Sequence, residues 1–189
     1  NGKKYAVNIS QLALANVDFD MQNRHHISYN LMMIHANTQS VGDYNGKNSI
    51  FSDDYENLGF TRRQQTNDNM LIVNQLMTNW GLTKSLSLDA GASYNMVKGY
   101  EPDRRINNLT KAEDGYTLLR GNSQQRYFST LDEDDLNVKA GLVYRLKDNI
   151  EEISNVRFGY TGRFIDDNFK ATEYNLTVGH VSTLPSLDN

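Results

Sequence analysis

The chain has 189 residues, enough for one domain with a sizeable core, and it contains no cysteine, which excludes disulfide scaffolds, thiolate zinc sites and cysteine nucleophiles. Its net charge of −4 combines 19 basic with 23 acidic residues without a concentrated basic face, so we expect no nucleic-acid partner. The mean hydropathy of −0.65 and the lack of any apolar run of about 18 residues exclude a transmembrane helix, but not a membrane barrel, in which only every second residue has to be apolar.

Alternating apolar and polar residues predict the first strand at residues 13–21. Two less regular strands follow. Residues 27–35 carry Met32 and Ile34 on an otherwise polar side, and residues 70–80 are apolar on both sides. We predict that each of these segments is extended.

The clearest alternation lies at residues 86–96 and divides the side chains into two sets. The apolar set is Leu86, Leu88, Ala90, Ala92, Tyr94 and Met96. The polar set is Ser87, Asp89, Gly91, Ser93 and Asn95. The same division recurs at 138–146 and 156–164, and more weakly at 172–178, which gives about seven strands in all.

The predicted connections alternate between short and long. Residues 22–25, 82–85 and 147–154 are short, whereas 40–62 and 99–136 are long and rich in Asn, Asp, Gly, Ser, Gln and Arg. In an up-and-down antiparallel meander, this order places every short turn at one end of the sheet and every long loop at the other. Outer-membrane barrels show the same asymmetry, with periplasmic turns and extracellular loops.

Charged residues stand in the middle of the predicted strands, opposite an apolar face that carries aromatic side chains. They are Asp89, Lys139, Arg145, Arg157 and Arg163. In a barrel wall, the apolar face would contact lipid outside, and the charged face would contact water or a plug domain inside. In a soluble antiparallel sheet, the apolar face would pack on a second sheet and the charged face would contact solvent. We therefore predict an all-β fold, an antiparallel up-and-down meander that forms a segment of a transmembrane β-barrel over residues 1–189.

Four stretches of the chain resemble the barrel region of TonB-dependent receptors of the Bacteroidetes type. They are residues 91–105, 121–127, 136–147 and 170–175. The Glu-Pro-Asp-Arg-Arg run at 101–105 is the most specific of these matches, and together they span most of the chain from about Thr61 onward.

The resemblance implies a barrel of about 22 strands around an N-terminal plug domain, on which the inner-membrane protein TonB pulls to admit a scarce ligand. We expect this chain to be an internal piece of such a receptor without the plug, because it ends on Asp188 and Asn189 rather than on an aromatic residue. The expected partners are outer-membrane lipid, TonB through the absent plug, and an unidentified transported ligand. The expected location is the bacterial outer membrane.

The polar cluster of Glu101, Asp103, Arg104 and Arg105 follows directly on a clean strand and opens a predicted long loop. These four residues are the candidates for contact with ligand, and a salt-bridged strand end is the alternative interpretation. We expect no catalytic residues, no metal site and no cofactor. The adjacent His25 and His26 point to opposite faces of a strand, and the acidic runs at 53–54 and 132–135 lack the spacing of a calcium loop.

Two classes of function remain open from the sequence. The first is a non-enzymatic segment of a TonB-dependent receptor, forming part of the barrel wall and of the ligand-facing loops. The second is a soluble or surface-anchored β-sheet binding module. A barrel enzyme would need a Ser/His pair on one side of the wall, and the alternation places none there.

Overall fold

A computed structural model describes residues 1–21, 24–47, 58–112, 115–118, 124–149 and 152–176. The described residues form seven β-strands and no helix. The strands are β1 (Gly2–Met21), β2 (His25–Lys47), β3 (Leu58–Gly81), β4 (Leu86–Ala112), β5 (Gly115–Leu118), β6 (Gln124–Asn149) and β7 (Glu152–Leu176).

The six long strands form one antiparallel meander in the order β1-β2-β3-β4-β6-β7. The short β5 folds back on the end of β4. The sheet is not closed, since β1 pairs only with β2 and β7 only with β6 among the described strands. The predicted all-β antiparallel meander is confirmed. Within the described ranges, no helix is long and apolar enough to cross a membrane.

The register confirms the predicted division into two faces. Leu88 lies opposite Leu142, and Ala90 opposite Ala140. Directly paired residues of an antiparallel sheet point the same way, and neighbours along a strand point opposite ways. We call the side of Leu88 and Ala90 the apolar face. The other side, to which Asp89 belongs, is the polar face.

An uncovered apolar band occupies the half of the apolar face nearest the short connections. In β4 it runs from Leu86 to Met96, and the edge strands β1 and β7 add exposed side chains such as Val17 (62%) and Phe158 (81%). Ten residue steps span about 33 Å along a strand. At the strand tilt of about 40° found in closed barrels, this length would correspond to a height of about 25 Å, as in the apolar band of outer-membrane barrels.

No second layer covers the sheet within the described part of the chain. Only three hydrophobic side chains are buried there, namely Phe60, Leu109 and Val143. All long-range contacts of the strands are with their neighbours in the same sheet. The apolar band therefore has no protein against it.

A narrower apolar stripe crosses the polar face of β1–β4 and explains the two irregular segments of the sequence. The directly paired rows place Leu14 beside Met32 and Val73, and Leu12 beside Ile34 and Leu71. Both β2 and β3 are therefore apolar on both sides at this level.

The predicted grouping of connections is confirmed, but the predicted loop lengths were wrong. The links between β1 and β2, between β3 and β4, and between β6 and β7 all lie at one end of the sheet. At the other end, the predicted loops 40–62 and 99–136 are mostly strand, because β2 extends to Lys47 and β4 to Ala112. Residues 48–57 lie outside the described residues. Most side chains on these strand extensions are polar, on both faces, so no regular alternation marks them in the sequence.

Candidate functional site

The candidate cluster at 101–105 lies within a strand and not in a loop. It surrounds a β-bulge in β4, where the pairing register shifts against both β3 and β6. Pro102 is at this bulge, and since proline has no N–H to donate, an interior strand tolerates it where the ladder is interrupted. The prediction that these residues open a long loop is corrected: the ladder resumes at Arg104 and continues beyond it.

Two arginines hold the carboxylate of Asp103. Arg126 of β6 donates from Nε to Oδ1 at 3.0 Å and from Nη2 to Oδ2 at 2.7 Å, and Arg105 donates from Nε to Oδ2 at 2.6 Å. The hydrogen bonds from Arg126 contribute most to lowering the pKa of Asp103 below its ordinary value, against the opposing effect of desolvation. One carboxylate between two guanidinium groups leaves this cluster with a net positive charge.

Glu101 and Arg104 lie on the other side of the sheet. Arg104 Nη1 is 3.9 Å from Glu101 Oε2, and its guanidinium covers the ring of Tyr127 at 4.1 Å from the centroid. Glu101 is only 9% exposed. The structure therefore divides the four candidate residues into two pairs on opposite faces, and the four do not form a single site.

The Asp103 pair borders a wide concavity on the apolar face. Tyr5, Val41, Gln64 and Arg105 are direct neighbours in one row across four strands, and they line a space of about 880 Å³ together with Asp103. This row lies about eight residue steps beyond the apolar band, or about 26 Å along the strand. The concavity combines aromatic, amide and charged groups, so it can receive a polar ligand.

A second ion pair lies on the same face, one row beyond the concavity. Arg62 of β3 donates to Asp43 of β2 from Nε at 2.8 Å and from Nη2 at 2.9 Å. These hydrogen bonds lower the pKa of Asp43 and raise that of Arg62, and desolvation opposes both shifts. Asp43, Arg62, Arg126 and Tyr127 were not among the predicted site residues. Only the register brings them to their partners, and no local motif marks them.

On the polar face, the charged side chains behind the apolar band form hydrogen bonds or ion pairs with other polar side chains. Asp135 accepts from Arg163 at 3.1 and 3.0 Å and from Asn137 at 3.0 Å. Asp89 accepts from Asn79 and lies 3.6 Å from Arg157. This face is therefore suited to water or to polar protein, while the face behind it is suited to hydrocarbon.

The histidines do not form a metal site in the described part of the chain. His25 packs on Trp80 at 4.3 Å between ring centroids, whereas His26 Nδ1 is 2.7 Å from Asp20 Oδ1 on the opposite face. No three potential ligands converge among the described residues. The acidic run 132–135 is part of β6 and alternates between the faces, so its placement in the predicted loop 99–136 was wrong. Residues 53–54 lie outside the described residues.

No model of a known protein family matches the chain, and no curated protein is significantly similar to it.

Proposed function

We propose that this chain forms part of the wall of an outer-membrane barrel of the TonB-dependent receptor type, which takes up a scarce ligand across the outer membrane. The observation that carries the membrane part of the proposal is the uncovered apolar band. It lies on one face of a single-layer meander and has the height of a bilayer core. A solvent-exposed patch of this size is costly in water and stable against lipid.

The opposite face supports the same assignment. Its ion pairs and amide groups require water or polar protein, as the interior of a barrel provides. The strands extend far beyond the band at the end with the long connections, where the charged concavity lies. We assign this end to the cell exterior and the short turns to the periplasm, by the usual asymmetry of such barrels.

The receptor type and the transport activity are supported by the resemblance of residues 91–105, 121–127, 136–147 and 170–175 to that family. In this assignment, the free edges of β1 and β7 pair with further strands, because unsatisfied backbone groups are not tolerated in lipid. Glu101 and Arg104 are on the polar face and are then the candidate ligand contacts of the barrel interior in the extracellular half, whereas the Asp103 cluster is on the outward face beyond the apolar band.

The absence of cysteine makes the membrane assignment directly testable. Single cysteines at Ala92 and Ala140 on the apolar face, and at Ser93 and Gly141 on the polar face, can each carry a fluorophore that is quenched by nitroxide-labelled lipid. We expect strong quenching only at the two alanine positions after reconstitution into vesicles. Equal quenching on both faces, or a chain that stays monodisperse in buffer without detergent, would instead favour the soluble binding module.

A further inference from the structure

The β-bulge at Pro102 brings Glu101 and Arg104 to the same face of the sheet. Glu101 lies opposite Ser129 and Arg104 opposite Tyr127, so β4 takes three residue steps where β6 takes two. In a regular strand, residues three apart point to opposite faces. The side-by-side position of these two residues on the polar face therefore depends on the bulge, a feature that often re-aims side chains at functional sites. We call Glu101 and Arg104 the bulge pair.

The carboxylate of Glu101 is buried and only partly satisfied. Glu101 is 9% exposed, and its Oε1 accepts no hydrogen bond within the described part of the chain. Its Oε2 is 3.9 Å from Arg104 Nη1, which is too long for a hydrogen bond. A buried acceptor without a donor is costly, so this position favours a ligand that donates a hydrogen bond.

Tyr127 fixes the guanidinium of Arg104. The two residues are directly paired across β4 and β6, and the guanidinium lies over the tyrosine ring at 4.1 Å from its centroid. The N–H groups of a guanidinium lie in its plane and point away from its rim, so stacking on a ring does not consume them. The bulge pair therefore presents a fixed donor beside a buried acceptor.

The charges at the bulge pair select against an ionic ligand group. Glu101 repels a phosphate or carboxylate, and Arg104 repels an ammonium group. Two further charged side chains on the polar face, Arg63 in β3 and Glu173 in β7, also have opposite signs. The bulge pair is therefore suited to a neutral group that donates to Glu101 and accepts from Arg104.

A hydroxyl group meets both requirements. An oxygen at about 2.8 Å from both Arg104 Nη1 and Glu101 Oε2 forms an angle of about 90° with them, because these two atoms are 3.9 Å apart. A hydroxyl can accept from one and donate to the other at this angle. A trans peptide group directs its N–H and C=O to opposite sides, so a single peptide group cannot serve both. The amides of Gln65 and Asn67 on the same face of β3 add neutral polar groups.

We propose that the bulge pair binds a neutral ligand through a hydroxyl group, which accepts from Arg104 and donates to Glu101. In the function proposed above, on which this ligand assignment rests, the bulge pair faces the barrel interior in the extracellular half. The hydroxyl then belongs to the transported ligand. Binding of a hydroxyl by the bulge pair as such does not depend on the membrane location.

The test is isothermal titration of the full chain in detergent with three neutral oligosaccharides, maltohexaose, xylohexaose and mannohexaose. Acetyl-tetraglycine-amide is the neutral probe without hydroxyl groups, and trigalacturonate is the anionic probe that has them. Glu101→Gln should weaken binding of the neutral oligosaccharide that binds best by about tenfold, because it removes a charge-assisted hydrogen bond. The same variant should bind trigalacturonate more tightly than the wild type, since the charge of Arg104 is then unbalanced. A misfolded variant would not show this gain.

Glu133→Gln is the matched control. It makes the same change of charge on the same face, in the row of Val97, and should leave both affinities unchanged. Equal effects of Glu101→Gln and Glu133→Gln would overturn the bulge pair as a binding site.

The other outcomes separate the ligand from the membrane assignment. If acetyl-tetraglycine-amide binds as tightly as the oligosaccharides, the hydroxyl is not the recognised group. A wild-type chain that binds none of the three oligosaccharides would overturn the ligand assignment, while quenching by nitroxide-labelled lipid would still decide the membrane location. Binding that depends on Glu101 in a chain that does not insert into vesicles would support the bulge pair and overturn the membrane assignment.

Discussion

Replacement of Ala92 by arginine should strongly disfavour membrane insertion. Ala92 is exposed on the apolar face of β4, between Leu76 of β3 and Val138 of β6. It lies six residues from Leu86 and four from Met96, the two ends of the band in this strand. In the proposed membrane assignment, this position is therefore close to the bilayer midplane.

An arginine at this depth on the lipid face of a barrel costs about 2–4 kcal/mol, which corresponds to about thirtyfold to several hundredfold in the insertion equilibrium. The neighbouring Ser93→Arg places the same side chain on the polar face, beside Gln75 and Asn137. We expect this control to cost less than about 1 kcal/mol. Tyr100→Arg on the apolar face lies four residues beyond Met96 and should cost about 0–1 kcal/mol, since the penalty falls near the interface.

The measurement is co-flotation with phosphatidylcholine vesicles together with urea unfolding of the inserted chain. Trp80, the single tryptophan of the chain, lies at the edge of the band and reports both insertion and unfolding by its fluorescence. The reasoning is refuted if Ala92→Arg and Ser93→Arg behave alike, or if Tyr100→Arg is the most disruptive of the three.

Three further outcomes follow from local contacts. The hydrogen bonds from Arg62 lower the folded-state pKa of Asp43 below its ordinary value of 3.8. The ionised carboxylate therefore stabilises the fold above pH 3.8, and this stabilisation is lost as the pH falls through the lowered pKa. Arg62→Gln should reduce this loss of stability at acid pH, as measured by urea unfolding at a series of pH values. Gly159→Ala places a Cβ 2.7 Å from a backbone oxygen of β6 and should destabilise the sheet by about 1–3 kcal/mol, and an unchanged urea midpoint would contradict the contact. Pro102→Ala at the bulge should change the free energy of unfolding by less than about 1 kcal/mol. Ile106→Pro removes a hydrogen bond from the paired ladder and should lower the free energy of unfolding by about 3 kcal/mol or more. Equal effects of the two substitutions would argue against a bulge at Pro102.

The alternation of the sequence determined which segments are strands and which way their side chains point wherever one face is apolar. Residues 86–96, 138–146 and 156–164 lie as predicted within β4, β6 and β7, and the short connections share one end of the sheet. A period of two is visible in a single sequence because lipid or a core on one side and water on the other impose different residue types.

Only the tertiary structure decided the length of the strands and the composition of the candidate site. Beyond the apolar band most side chains on both faces are polar, so the strands there depend mainly on ladder hydrogen bonds to their neighbours and leave no regular local pattern. The bulge at Pro102 inverts the alternation of β4, so that Asp103 lies on the apolar face and Arg104 on the polar face, and the register brings Arg126 to the first and Tyr127 to the second. Such pairings join residues more than 20 positions apart, and a shift of one residue would exchange every partner.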